Sequence, residues 1–160
     1  MYDLREKVLV GLDDSERSWD AFNYALLKAQ GNDVDKLTIL YSEGKAKDEK
    51  YRAGERILEE AKEKASEEGI EVDTKLLVRG NDPDEDIVRF AEENRYDHIV
   101  IGHRGRSGIS GALLGTVAEG VVENAHCAVT VVRSAPIIEK MGEKIRPKDI
   151  ESLLEEHRGV

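Results

Sequence analysis

The stretch DHIVIGHRGRSGISGALLGTVAEGVVENAHCAVTVV, Asp97 to Val132, sets an apolar run at each end and spreads six glycines between Gly102 and Gly120. Asp97 to Ile101 closes on Ile99-Val100-Ile101, apolar at consecutive rather than alternate positions, the pattern of a strand buried on both faces. From about Thr116 to Asn124 the spacing turns helical, and Ala128 to Val132 is again a strand-like run. Strand, helix and strand in this order, with the strands apolar throughout, point to a parallel sheet covered by helices.

The same alternation extends upstream. Lys7 to Gly11 is a short apolar run that ends at Asp13-Asp14-Ser15, a cluster of helix-capping types, after which Trp19, Phe22, Leu26 and Ala29 recur at helical spacing. Leu37 to Tyr41 is a second strand. A long helical segment from about Asp48 to Glu68 follows, with Tyr51, Gly54, Leu58, Ala61 and Ala65 as its inner face, a Glu/Lys outer face that reads as solvated, and Gly69 as its stop. Glu71 to Val78 is a third strand. At Asp82-Pro83-Asp84-Glu85, Asp82 can cap, Pro83 suits the first helical position and Glu85 can reach back in a capping box; Ile87, Val88, Phe90 and Ala91 carry that helix to about Asn94. Five strands thus alternate with four helices. Right-handed crossovers restrict them to a doubly wound α/β sheet with helices on both faces.

A chain of 160 residues suits one such domain, expected over 1–133. Ser134 to Val160 has no place in the alternation; punctuated by Pro136 and Pro147, it reads as a C-terminal extension. Ile150, Leu153 and Leu154 there share one side of a short amphipathic helix that can dock on the domain or on a partner subunit. Charged residues make up 36% and aromatics 5%, so the core is expected to be aliphatic. The net charge of −10 argues against neutralising a nucleic-acid backbone or coating an anionic membrane. Cys127 is the only cysteine, which excludes an internal disulfide and fits a reduced compartment, where it serves as a small buried hydrophobe. The opening MYDLREKVLVGLDDS lacks the long apolar region of a signal peptide, and no stretch approaches the ~18 apolar residues of a membrane span. The expectation is a cytoplasmic protein.

In a doubly wound sheet, ligands bind beyond the carboxyl ends of the strands, where the winding reverses. Gly102 follows the fourth strand, and Gly102, Gly105, Gly108 and Gly111 let backbone N–H groups approach a ligand and curl into an anion-binding nest. Gly115-Thr116 then opens a helix, whose unpaired N–H groups and roughly half a unit of positive charge favour phosphate. Arg104 and Arg106 add full charges, so the stretch is suited to cradle a polyphosphate. It is neither of two common phosphate motifs: Gly111 to Thr116 has three residues between its glycines and no Lys before the Thr, and Gly102 to Gly108 lacks the G-x-G opening of a dinucleotide fingerprint. Taken alone, the glycines also fit a ligand-free surface loop. Thr116-Val117-Ala118-Glu119 can itself be a capping box. Asp13, at a strand end, is assigned to the ligand, although Asp13, Asp14 and Ser15 can each cap the first helix. His103 suits proton transfer in principle but reads as a partly exposed filler. His98, His126 and His157 show no metal-ligand spacing with one another or with Cys127.

Gly102-His103-Arg104-Gly105, nine residues from Arg106 to Leu114, then Gly115-Thr116 resemble at every fixed position the glycine signature of the nucleotide-binding universal stress proteins. The resemblance extends to VLVGLDDSERSWDAFNYAL and RGNDPDEDIVRFAEENRYDHIVIG, and spans about Lys7 to Arg133. It implies a single-domain α/β fold of strand order 3-2-1-4-5, a homodimer paired through the last strand (Ala128 to Val132), and ATP held between the loops after strands one, two and four; because close phosphate charges need neutralising, Mg²⁺ is expected to accompany the triphosphate. Carried over by position, Gly11, Leu12 and Asp13 border the adenosine, Asp13 near the ribose, and Ser42 lies against the base. Ile101 and Gly102 flank the ligand, while Arg104, Gly105, Gly115, Thr116 and Val117 face the phosphates. Gly11-Leu12 departs from the Pro and small or apolar residue of many relatives. The function implied is regulatory, in stress adaptation. The alternatives are a slow ATPase or nucleotidyl-transferring enzyme, for which only His103 offers a proton-transfer group, and a ligand-free dimerisation module.

Overall fold

The computed structural model describes residues 3–43, 48–78, 82–104 and 114–133, with the side chains of 48–52 excepted. In chain order the elements are β1 (Glu6–Gly11), α1 (Glu16–Gln30), β2 (Val34–Glu43), α2 (Asp48–Glu67), β3 (Asp73–Val78), α3 (Pro83–Glu93), β4 (His98–Gly102), α4 (Thr116–Asn124) and β5 (Ala128–Val132). The strands form one sheet in the order β3-β2-β1-β4-β5, every neighbouring pair parallel. This is the doubly wound sheet expected, including its strand order. β3 begins at Asp73 rather than Glu71 because its pairing starts where Asp73 meets Thr38 of β2.

Residues of alternate parity feed two cores. Val8, Val10, Ile39 and Val100 face Phe22 and Ala25 of α1 and Leu58, Ala61 and Ala65 of α2; Leu9, Leu40, Ile99 and Ile101 face Ile87 of α3 and Val121 of α4. Val8, Leu9 and Val10 are all wholly inaccessible. A central strand buried on both sides must be apolar at every position, which is why KVLVG shows no alternation. Each such side chain stabilises the fold by about 1.5–3 kcal/mol.

The helix ends have local causes, and they differ in part from those expected. α1 is capped by Ser15, whose Oγ accepts the N–H of Ser18 (3.2 Å). Asp14 precedes it in the left-handed region (φ 67°), which Asp tolerates better than most residues. α3 begins with Asp82 at the N-cap and Pro83 in its first turn, but the Asp82 side chain makes no capping bond. The capping box with Glu85 is therefore not formed; Asp84, Glu85 and Asp86 instead place negative charge against the helix dipole. Beyond α2, Gly69 takes φ +72°, the stop its position suggested. Cys127 is half-buried beside the α3–α4 core rather than fully enclosed, because the strand it precedes lies at the sheet edge. Among the described residues no helix is long and apolar enough to cross a membrane. The C-terminal extension and its amphipathic helix lie outside the described residues.

Candidate nucleotide-binding site

From β1 the chain winds to β2 and β3 on one side, and through β4 to β5 on the other. Beyond the carboxyl ends of β1 and β4, where that reversal occurs, a cleft opens. Gly11, Leu12 and Asp13, leaving β1, form one part of its wall; Ile101, Gly102 and Arg104, leaving β4, form another. Leu40 and Ser42 of β2, Pro83 and Ile87 of α3, Ser18 of α1, and Val117 and Ala118 of α4 complete it.

Both strand-end glycines have a packing reason. A Cβ on Gly102 would lie 2.6 Å from the carbonyl carbon and oxygen of Arg17 and 2.9 Å from Ser18 N. β4 therefore ends directly against the backbone of the first turn of α1. A Cβ on Gly11 would meet Ile87 Cδ1 at 3.0 Å and Ile101 Cγ2 at 3.4 Å. The turn between β1 and α1 is tied down in turn: Leu12 N–H continues the ladder to Leu40 O (2.9 Å), and Asp13 N–H donates to Ser18 Oγ (3.2 Å). Asp13 Oδ1 accepts from Ser15 N–H (2.9 Å), so this carboxylate is held in a turn at the cleft edge while Ser15 does the capping.

Also at the cleft, α4 has Gly115 as its N-cap and no side chain capping it. Gly115 N–H donates to His103 O (2.9 Å), while Gly115 O accepts from Glu119 N–H (2.9 Å). Thr116 is thus the first helical residue, not the cap, and the Thr116–Glu119 capping box is not formed: a hydroxyl already inside the helix cannot reach the amides of a first turn that starts one residue earlier. The amides of Thr116, Val117 and Ala118 have no intrahelical acceptor. Val117 and Ala118 enter the cleft wall; Gly115 and Thr116 stand at the same helix end but outside it. Gly105, with Arg106, Gly108 and Gly111, lies outside the described residues.

His103 corrects the sequence expectation. It is 7% exposed, not a partly exposed filler, because its N–H donates to Val132 O (2.8 Å) and its carbonyl takes the Gly115 N–H. These bonds turn the start of the loop inward between β5 and α4. His98 is far from the cleft, at the amino end of β4, with Nδ1 3.1 Å from Glu6 Oε2 and Nε2 2.6 Å from Thr130 Oγ1. The hydrogen bond to His98, with Lys28 at 3.1 Å, holds the Glu6 carboxyl below its ordinary value. Among the described residues no three His, Cys, Asp or Glu side chains are gathered to hold a metal ion.

Sequence patterns did not point to Ser18, Leu40, Pro83, Ile87 or Ala118 as cleft residues; each reads locally as ordinary core, cap or helix start. Asp86 is further hidden, as one of three acidic residues in the first turn of α3. It is 1% exposed and its Oδ2 accepts the Ser42 hydroxyl at 2.7 Å.

The model of the universal stress protein family matches residues 5–133. A universal stress protein of Methanocaldococcus jannaschii is 33% identical over 143 residues, which cover 81% of this chain and 83% of the relative. The universal stress protein of Archaeoglobus fulgidus in complex with dAMP superposes with a TM-score of 0.66 at 29% identity, covering 81% of this chain and 98% of that one. Another universal stress protein, in complex with cAMP, does so with a TM-score of 0.67 at 28% identity, over 82% and 99% of the two chains.

Proposed function

This chain belongs to the universal stress protein family, and we propose that its cleft binds an adenine nucleotide, with ATP accompanied by Mg²⁺ as the physiological ligand. One observation carries the proposal: Arg104 and the first turn of α4, which no side chain caps, line the same cleft as the apolar wall of Leu40, Pro83 and Ile87. A cleft that joins a cation and helix-end amides to an apolar wall suits both anionic oxygens and a flat, weakly polar ring. The dAMP and cAMP bound by two related proteins support the choice of base. In this arrangement Ser42 lies against the base, Gly11, Leu12 and Asp13 border the sugar, and Ile101 and Gly102 flank the nucleotide. Arg104, Gly105, Gly115, Thr116 and Val117 meet the phosphates. Mg²⁺ would be held chiefly by phosphate oxygens, as this ion retains several waters and needs few protein ligands.

The role proposed is regulatory, in stress adaptation within the cytoplasm, with nucleotide occupancy altering a homodimer paired through β5. β5 is suited to this because it stands at the edge of the sheet. Binding rather than turnover is proposed, since His103, the loop side chain suited to proton transfer, is buried.

Calorimetric titration with ATP, in the presence and absence of Mg²⁺, tests the proposal. Arg104→Ala should weaken ATP binding about 10- to 100-fold, the worth of a hydrogen bond to a charged group, and Gly115→Val should weaken it by disturbing the helix end. Unchanged ATP affinity in Gly115→Val, or no binding by the native chain, overturns the proposal. Mass spectrometry of small molecules released on denaturation shows whether the purified protein already carries a nucleotide.

A further inference from the structure

Ser42 and Asp86 are 44 positions apart in sequence and meet behind the cleft wall, where Ser42 Oγ donates to Asp86 Oδ2 at 2.7 Å. Asp86 is 1% exposed, and its second oxygen, Oδ1, is buried with no hydrogen-bond partner. Among the described residues, the Ser42 hydroxyl is the donor that this carboxylate has. A hydroxyl has one proton and two acceptor lone pairs. Turning that proton toward the cleft would leave a buried carboxylate with no donor, a costly state. Ser42, which lines the cleft, therefore offers a ligand only an acceptor.

We propose that the Asp86–Ser42 pair is the device that selects the base, favouring a purine with an N–H donor at its 6-position over one with a 6-oxo group. A 6-amino group donates to the Ser42 lone pairs. A 6-oxo group sets acceptor against acceptor and brings further negative potential toward the Asp86 carboxylate. Asp86 does not touch the ligand; it is a positioning residue that fixes the polarity of Ser42. The proposal rests on the nucleotide reading above, in which the base lies against Ser42.

The test is calorimetric titration of the full chain with AMP, IMP and purine riboside 5′-monophosphate, which has no 6-substituent. The native protein should bind AMP about 10- to 100-fold tighter than IMP, the usual consequence of an unmatched buried polar group. In Ser42→Ala the AMP:IMP ratio should fall to about 3 or less, while Ser42→Thr, which retains a hydroxyl, should retain most of it. Asp86→Asn presents an amide donor to Ser42 and frees its proton, so the ratio should collapse or invert. If Asp86→Asn does not fold, as judged by its melting curve, the Ser42 variants decide. If the native chain binds AMP and IMP alike, or Ser42→Ala keeps the native ratio, the selection device is overturned while nucleotide binding stands. If none of the three ligands binds, both proposals fall.

Discussion

Replacing Gly102 by Ala would test how the site is built. The added Cβ would fall 2.6 Å from the carbonyl carbon and oxygen of Arg17, whereas ordinary contact begins near 3.4 Å, so one element must retreat by about 0.8 Å. Neither obstacle is a side chain that can rotate away. The Arg17 carbonyl belongs to the first turn of α1, anchored by the Ser15 cap and by Ser18 Oγ, which donates to Ser15 O at 2.9 Å. Overpacking of this kind costs about 1–3 kcal/mol. The lower entropy of the unfolded alanine chain offsets about 0.4–1 kcal/mol of this. A net loss of about 1–2 kcal/mol is expected, which lowers Tm by about 2–8 °C for a domain of this size. Urea unfolding followed by the fluorescence of Trp19, the chain's only tryptophan, measures it. Gly31→Ala is the control for a milder approach: its φ is −76° and its Cβ would be 3.3 Å from Lys28 O, an overlap of about 0.1 Å rather than about 0.8 Å, so a smaller loss than for Gly102→Ala is expected. Gly69→Ala isolates backbone strain, with φ +72° and nothing within 4 Å, and should cost about 1–2 kcal/mol. If Gly102→Ala is as stable as Gly31→Ala, the close approach of β4 to α1 is refuted.

Three further outcomes are expected. Asp14→Ala removes the acceptor for Trp19 Nε1–H (2.9 Å) and places alanine at φ 67°, so it should lose about 2–3 kcal/mol in urea unfolding, and Asp14→Gly less; equal losses would show that backbone strain is not involved. The Cys127 thiol is raised above its ordinary value, by burial first and by the charge of Asp97 second, so alkylation by iodoacetamide should be slower than for free cysteine and keep rising to higher pH. A rate and pH profile matching free cysteine would contradict this. Glu6, held below its ordinary value of 4.5 chiefly by His98, contributes stability that is present above that value and lost as pH falls through its lower folded-state value. The stability gap between the native chain and Glu6→Gln should accordingly narrow in acid, and a gap in urea midpoint that stays constant from about pH 7 to about pH 3 would disprove the linkage.

The alternation of elements was legible because its causes are local. A strand buried on both faces must be apolar at consecutive positions, as in KVLVG, and a helix covering a sheet must repeat its apolar residues as Leu58, Ala61 and Ala65 do. Pro83 and Gly69 mark boundaries through their own backbone restrictions. Cap choice was less legible, since several capping types stand side by side. Ser15 prevails over Asp13 and Asp14 because Ser18 and the β1 ladder fix the path of the turn, and Gly115 precedes Thr116 because its N–H is bound to His103.

By itself, the sequence determined the class of fold, the number of strands and the position of a glycine-rich loop at a strand end; the strand order came through family resemblance. Only the tertiary structure decided that Leu40, Pro83 and Ile87 share a cleft with Arg104 and the start of α4, that His103 turns inward, and that Ser42 gives its proton to Asp86. The physical reason is range. Periodicity and capping express forces acting over a few residues, whereas these contacts arise where separate crossovers return the chain to one end of the sheet.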